Sequence, residues 1–275
     1  MPPSSRYTQY LRLDKAIRPS SIGQTAAMLP CLRAFLPLCF RVMDEHRACR
    51  QHIKTDALLG VEAVPIRPVA ASAMSPHLDR DQKSSILRQI DEQEVRSCTK
   101  CGLCKSRTQS VFGEGDPDAP VLFIGEGPGK NEDEQGRPFV GRAGQLLSKM
   151  ITAMGFQREQ FYIANVVKCR PPQNRTPTPD EVSTCWDFLR RQIQIIQPKV
   201  IVTLGAPATR MVLETKEGIT RIRGTWHEYQ DMESGIASIP VMPTFHPAYL
   251  LRAYTMENRK KVWSDLQAVI DRIAQ

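Results

Sequence analysis

A chain of 275 residues with a formal net charge of +8 has room for one domain of roughly 180–200 residues plus an extension, or for two small domains. No apolar run approaches the roughly 18 residues needed to cross a bilayer, so a spanning helix is excluded, and the basic balance directs attention to anionic partners such as nucleic acid. Eight cysteines without a convincing secretory leader point to metal or redox chemistry more than to disulfides, hence to a cytoplasmic protein.

Residues 1–78 read as a disordered N-terminal extension. Proline, serine and alanine recur there without helical or strand period, as in Arg67-Pro68-Val69-Ala70-Ala71-Ser72-Ala73. The most apolar part, Ala26 to Met43, is broken by Pro30, Arg33, Pro37 and Arg41. The first 43 residues hold several arginines and one acid, Asp14, a faint transit-peptide signal, and Met74 is a natural alternative start. Cys31, Cys39 and Cys49 take no role in this reading.

From Asp79 to Gln275 the pattern is that of a folded domain. Ile86, Leu87, Ile90 and Val95 give an irregular apolar helical face, with Arg88 and Glu92 as an i,i+4 pair on another side. The helix leads to Cys98-Thr99-Lys100-Cys101-Gly102-Leu103-Cys104. Val121 to Ile124 reads as a buried parallel strand breaking into Gly125-Glu126-Gly127-Pro128-Gly129, with Glu132 just beyond. Arg142 to Met154 has a helical apolar face stopped by Gly155. Phe161 to Val167 is a second strand, ending at Lys168-Cys169-Arg170. Thr178-Pro179-Asp180-Glu181 combines a cap, a first-turn proline and a capping box, so a helix is expected from there to about Gln197. Val200 to Leu204 is a third strand and Gly205-Ala206-Pro207 starts a helix. Residues 218–238 hold a hairpin or irregular segment around Trp226. Ile239 to Phe245 is a fourth strand running into His246-Pro247-Ala248-Tyr249-Leu250-Leu251-Arg252, and a last helix starts near Met256.

Four alternations of strand and helix imply a parallel sheet with helices on both faces. The distinctive loops all follow strand C-termini, so they converge on one edge, where open α/β sheets place their sites. The pairs Cys98-x2-Cys101 and Cys169-x15-Cys185 supply four thiolates, able to hold Zn²⁺ or an iron–sulfur cluster, and their spacing does not choose between the two. Lys100, Lys105 and Arg107 favour the thiolate form. Cys104 extends the first pair towards a ferredoxin-like run, but Thr108 stands where a fourth cysteine would be.

Five motifs resemble the signatures of family 4 uracil-DNA glycosylases, in that family's order, across about residues 85–275. They are Gly-Glu-Gly-Pro-Gly-x-x-Glu-Asp (125–133), Gly-Arg-Pro-Phe-Val-Gly-x-Ala-Gly (136–144), Asn-x-Val-Lys-Cys-Arg-Pro-Pro (165–172), Pro-x5-Cys (179–185) and His-Pro-Ala-Tyr-Leu-Leu-Arg (246–252). The resemblance implies a three-layer α/β/α sandwich around a four-stranded parallel sheet. It also implies a structural [4Fe–4S] cluster on Cys98, Cys101, Cys169 and Cys185, and a monomer acting on uracil in single- or double-stranded DNA.

Under that reading the nucleotide is flipped out of the stack and the bond from base to sugar is hydrolysed. Asn165 offers a donor and an acceptor to O4 and N3–H of uracil, a pattern that cytosine reverses. Phe139 stacks on the base, and Gly127 leaves room for it. His246 donates to the developing charge on O2, with the backbone of the Glu126–Gly127 turn in support. Glu126 and Glu132, the latter preferred, orient water or stabilise the sugar cation. In the best-known uracil glycosylases an aspartate stands at the position of Gly127. Leu250 is the expected wedge filling the vacated space, and Lys168, Arg170, Arg175 and Arg252 hold phosphates. Each has a plainer alternative: a turn cap for Asn165, core packing for Phe139, solvated charge for the cations. The rival functions are a non-catalytic four-cysteine zinc or iron–sulfur nucleic-acid-binding module, and a glycosylase of broader base range.

Overall fold

The structure, a computed structural model, describes residues 78–231 and 235–275. The expected N-terminal extension, with Cys31, Cys39 and Cys49, lies outside the described residues. A six-stranded sheet forms the middle layer, built from β1 (Glu114–Gly115), β2 (Val121–Gly125), β3 (Tyr162–Asn165), β4 (Val200–Leu204), β5 (His227–Tyr229) and β6 (Ile239–Thr244), in the order β1-β3-β2-β4-β6-β5. The four expected strands are its parallel centre. The sheet is wider than expected because β1 and β5 add antiparallel edges. Two residues are too few to carry a period of two, so β1 was not visible in the sequence, while β5 falls in the segment expected over residues 218–238 to be a hairpin or irregular.

Every residue of β2 and β4 is buried, as a strand covered on both faces requires. Alternation along β2 divides the core. Leu122 and Ile124 point to the layer holding α1 (Arg80–Ile90) and α4 (Pro179–Ile196). Val121 and Phe123 point to the layer holding α3 (Arg142–Ala153) and α8 (Met256–Ile273). Each such side chain contributes roughly 1.5–3 kcal/mol on full burial. Between these lie α2 (Lys130–Gln135), α5 (Ala206–Val212), α6 (Ile219–Ile222) and α7 (Pro247–Arg252).

The irregular face of the first helix has a structural cause. Asp91–Val95 form a π-helical turn, so Ile90 and Val95, five residues apart, enter the same core. The expected Arg88–Glu92 pair is not formed among the described residues; Asp91 instead pairs with Arg96 at 3.0 Å. The Thr178 capping box is present as expected. The chain leaves β2 towards β3 on one side and leaves β4 towards β6 on the other. A crevice therefore opens above the carboxyl ends of β2 and β4, at the switch in strand order.

Candidate active site

That crevice is a cavity of about 560 Å³. Its lining brings together Glu126, Gly127, Glu132, Phe139, Asn165 and His246 from three strand ends, α2 and the segment before α3, and the expected cations Arg175 and Arg252 reach its rim.

Asn165 closes β3 and is 1 % exposed. Its Oδ1 is buried with no hydrogen-bond partner among the described residues. An orphaned buried acceptor costs about 1–3 kcal/mol, so the position is kept against stability and suits an incoming N–H. A turn cap would spend that oxygen on the backbone. Gly125 allows the approach, since a Cβ there would stand 2.5 Å from Oδ1 and 2.6 Å from the Phe139 ring. Phe139 has a left-handed backbone (φ 52°), and the Gly144 backbone presses so close to its carbonyl that no side chain fits there. Its ring lies 5.6 Å from the His246 imidazole, tilted by 30°.

His246 sits at the N-terminal cap of α7. Its Nδ1 accepts the Ala248 N–H at 3.0 Å, which leaves Nε2 to carry the proton. Burial, reinforced by the Arg252 charge and opposed by Glu132, pushes the imidazole down to about 4. It is thus a neutral donor at physiological pH. Gly205, at φ 87° after β4, gives it space, since a Cβ there would be 3.0 Å from the His246 Cβ.

The two carboxylates differ in kind. Glu132 Oε1 accepts the N–H groups of Val140 and Gly141 at 2.9 and 2.8 Å, and Oε2 accepts that of Gly129 at 3.1 Å. It clasps the Phe139 segment to the glycine-rich loop and has most of its acceptor capacity in use, which corrects the preference for it as the water-orienting group. Glu126 faces the cavity half-buried, and desolvation raises its carboxyl pKa, with the Thr176 side chain acting in the opposite sense. Position 127 is closed to an aspartate as the chain stands: a Cβ on Gly127 would come within 2.7 Å of Val167.

Two expected DNA contacts are corrected. Lys168 is 1 % exposed, and its Nζ donates to the Asn165 carbonyl and to Gln192 Oε1, so it does not reach a phosphate. Leu250 is 3 % exposed and packs in the core with Leu147 and Ile151; its neighbour Leu251 is 36 % exposed. Arg170 is half-buried and donates to Asn174 Oδ1. Arg175 forms a bidentate pair with Glu181 at 2.7 and 2.8 Å, and Arg252 is exposed.

Behind the cavity, Cys98, Cys101, Cys169 and Cys185 line a second, smaller space, together with Cys104, Lys168 and Arg107. Among the described residues, no three His, Cys, Asp or Glu side chains converge closely enough to hold a single ion. The donor chemistry fits a thiolate-ligated metal group. Burial pushes Cys169 up and Cys185 up to about 11, so both stay protonated until a metal displaces the proton. Arg107 already donates to Cys169 Sγ at 2.9 Å, and the Lys168 N–H to Cys185 Sγ at 3.3 Å.

Gln192 and Thr176 were absent from the sequence reading. Gln192 had a signal: it lies two helical turns beyond Cys185, a polar residue on the buried face of α4. Thr176 had none.

Residues 112–267 match the family model described as the uracil DNA glycosylase superfamily. A type-4 uracil-DNA glycosylase of Thermotoga maritima is 48 % identical over 182 residues, which span 66 % of this chain and 92 % of that protein. Type-4 enzymes of Sulfurisphaera tokodaii and Archaeoglobus fulgidus are 46 % and 41 % identical, over 65 % and 64 % of this chain and 81 % and 88 % of theirs. The chain belongs to the uracil-DNA glycosylase superfamily, among its type-4 members.

Proposed function

We propose that this protein excises uracil from DNA as a repair glycosylase, leaving an abasic site. The observation that carries this reading is the unpartnered Asn165 Oδ1 in a cavity shared with a neutral His246. Asn165 Oδ1 accepts uracil N3–H and its amide donates to O4; Phe139 stacks on the ring. As the bond from C1′ to N1 breaks, both electrons leave with the base, and His246 Nε2–H stabilises the charge gathering on O2. Glu126 stabilises the sugar cation and receives a proton from the water that attacks C1′. Glu132 holds the surrounding loops.

Arg170 and Arg252 hold phosphates, with Arg175 fixed by Glu181 at the rim. The wedge passes from Leu250 to the exposed Leu251 beside Tyr249, since a buried leucine cannot enter a base stack. Cys98, Cys101, Cys169 and Cys185 would hold a [4Fe–4S] cluster. When bound, it supplies cross-linking rather than bond-breaking chemistry, joining the segment after α1 to the exit of β3 and the start of α4. The active unit is a monomer formed by residues 79–275, acting in the cytoplasm, where reducing conditions keep cysteines such as the five free ones among the described residues from pairing. Among the described residues, no helix is long and apolar enough to cross a membrane.

The test is release of base from oligonucleotides carrying U·G, U·A, single-stranded U, T·G or hypoxanthine. Uracil release from the first three is expected, and its absence from all of them overturns the proposal. Cleavage of T·G or hypoxanthine would widen the base range. A band near 400 nm in the pure protein separates an iron–sulfur cluster from zinc.

A further inference from the structure

Lys168 lies between the two cavities. On one side its Nζ donates to the Asn165 carbonyl at 2.8 Å and to Gln192 Oε1 at 2.5 Å. Gln192 is itself anchored, donating from Nε2 to the Phe112 carbonyl at 3.0 Å and towards the Tyr162 hydroxyl at 3.4 Å. On the other side Lys168 lines the space bounded by the cysteines, and its own backbone N–H donates to Cys185 Sγ. Its Nζ forms no ion pair with a carboxylate among the described residues, although it is 1 % exposed; burial pushes it down to about 7, with Cys185 and Asp91 acting in the opposite sense. A buried cation without an anion is strongly unfavourable. The anions that act on it are Cys185 and Asp91, and four thiolates would give a [4Fe–4S] centre a net negative charge.

We infer that Lys168 is a positioning residue that couples the cysteine cavity to base recognition. Its charge is balanced by metal-bound thiolates, and the same ammonium fixes the Asn165 peptide and, through it, the side-chain amide that faces the base. The inference rests on the proposed reading of Asn165 as the uracil-recognising group and of the four cysteines as cluster ligands. It has a consequence on each side. Removing the charge makes the cluster harder to reduce, because a nearby cation favours the added electron. It also loosens Asn165 and weakens uracil binding. A phosphate-binding lysine would do neither, and would instead change the salt dependence of DNA binding. A lysine that only fills space would change stability and leave the potential unmoved.

The experiment uses the cluster-loaded Lys168→Met protein beside wild type. Calorimetry reads the affinity for free uracil, voltammetry the cluster potential, and a salt titration the DNA-binding slope. Uracil binding is expected to weaken about tenfold, the scale of one hydrogen bond to a charged group. The potential is expected to move negative and the salt slope to stay at the wild-type value. An unchanged potential or an unchanged uracil affinity overturns the coupling, as does a smaller salt slope. If the Met variant does not assemble its cluster, Gln192→Glu takes its place. It sets a carboxylate against Nζ while keeping the lysine on Asn165, so a negative shift in potential with uracil affinity within about twofold of wild type is expected. No shift overturns the inference. A wild-type protein lacking the band near 400 nm, or failing to bind uracil, would sink the underlying reading instead of the coupling.

Discussion

The base cavity and the cysteine cavity lie on either side of the exit of β3, and they solve the placement of buried polar groups in opposite ways. In the base cavity the groups are held ready with capacity to spare. Asn165 Oδ1 lacks a partner, His246 is neutral with its Nε2–H uncommitted, and the Glu126 carboxyl pKa is raised by desolvation. In the cysteine cavity burial suppresses the ionisation that metal ligation needs, and one compensating cation, Arg107, is already aimed at sulfur. The first arrangement suits a ligand that comes and goes: an unfilled acceptor costs about 1–3 kcal/mol, which a folded domain tolerates. The second is incomplete in charge until a metal group is permanently in place.

The largest expected effect falls on the base cavity alone. His246→Ala removes the donor to O2, so single-turnover excision should drop about 10²–10³-fold, the usual loss for one preorganised donor. The band near 400 nm should stay at its wild-type value, and the thermal midpoint should fall only by the lost cap of α7, worth about 0.5–2 kcal/mol. A loss below tenfold would remove His246 from the chemistry, and a bleached cluster would show that the two cavities are not separable at this residue. Because the imidazole is held down at about 4, the wild-type rate should carry no histidine limb between pH 5 and 8.

Glu126 supplies the next effect. Its folded pKa is raised above the ordinary 4.5, so on acidification it takes up its proton earlier than an exposed glutamate. The anion that stabilises the sugar cation is present above that raised value and lost below it. Excision should therefore fall as pH falls, with a midpoint above 4.5. Glu126→Gln should lower the plateau about 100-fold and abolish the acid limb. A Gln variant that keeps the wild-type limb would assign it to another group.

The base cavity was the more legible of the two regions, because its chemistry sits in short runs at strand ends. Gly125 to Glu132, Asn165 and His246 each follow a buried apolar strand, so topology alone brings them to one edge. The errors concern which way a side chain points. Lys168 read as a phosphate ligand together with Arg170, Arg175 and Arg252. Its actual partner, Gln192, lies 24 residues away on another element, and only the fold shows it. The role of Glu132 turned on its bonds to Val140 and Gly141, backbone groups that no composition argument names. The edge strand β1 and the π-helical turn escaped because they are too short to repeat the periods that reveal strands and helices.

The smallest expected effect tests the wedge, where the sequence reading and the structure differ by one residue. The sequence reading assigned no element to the segment after His246, but Pro247 begins α7 at once, and in a helix successive side chains turn by about 100°. Leu250 then faces the core against α3, and Leu251 beside it faces out. Opening a base step in duplex DNA costs a few kcal/mol, and single-stranded uracil avoids that cost. Leu251→Ala should accordingly lower the ratio of duplex to single-strand excision by about tenfold, with little change on single strands. Leu250→Ala removes a core side chain and should cost about 2–5 kcal/mol of stability while slowing both substrates alike. If Leu250→Ala lowers the duplex ratio and Leu251→Ala does not, α7 must unwind on DNA to present Leu250, and the wedge returns to that residue.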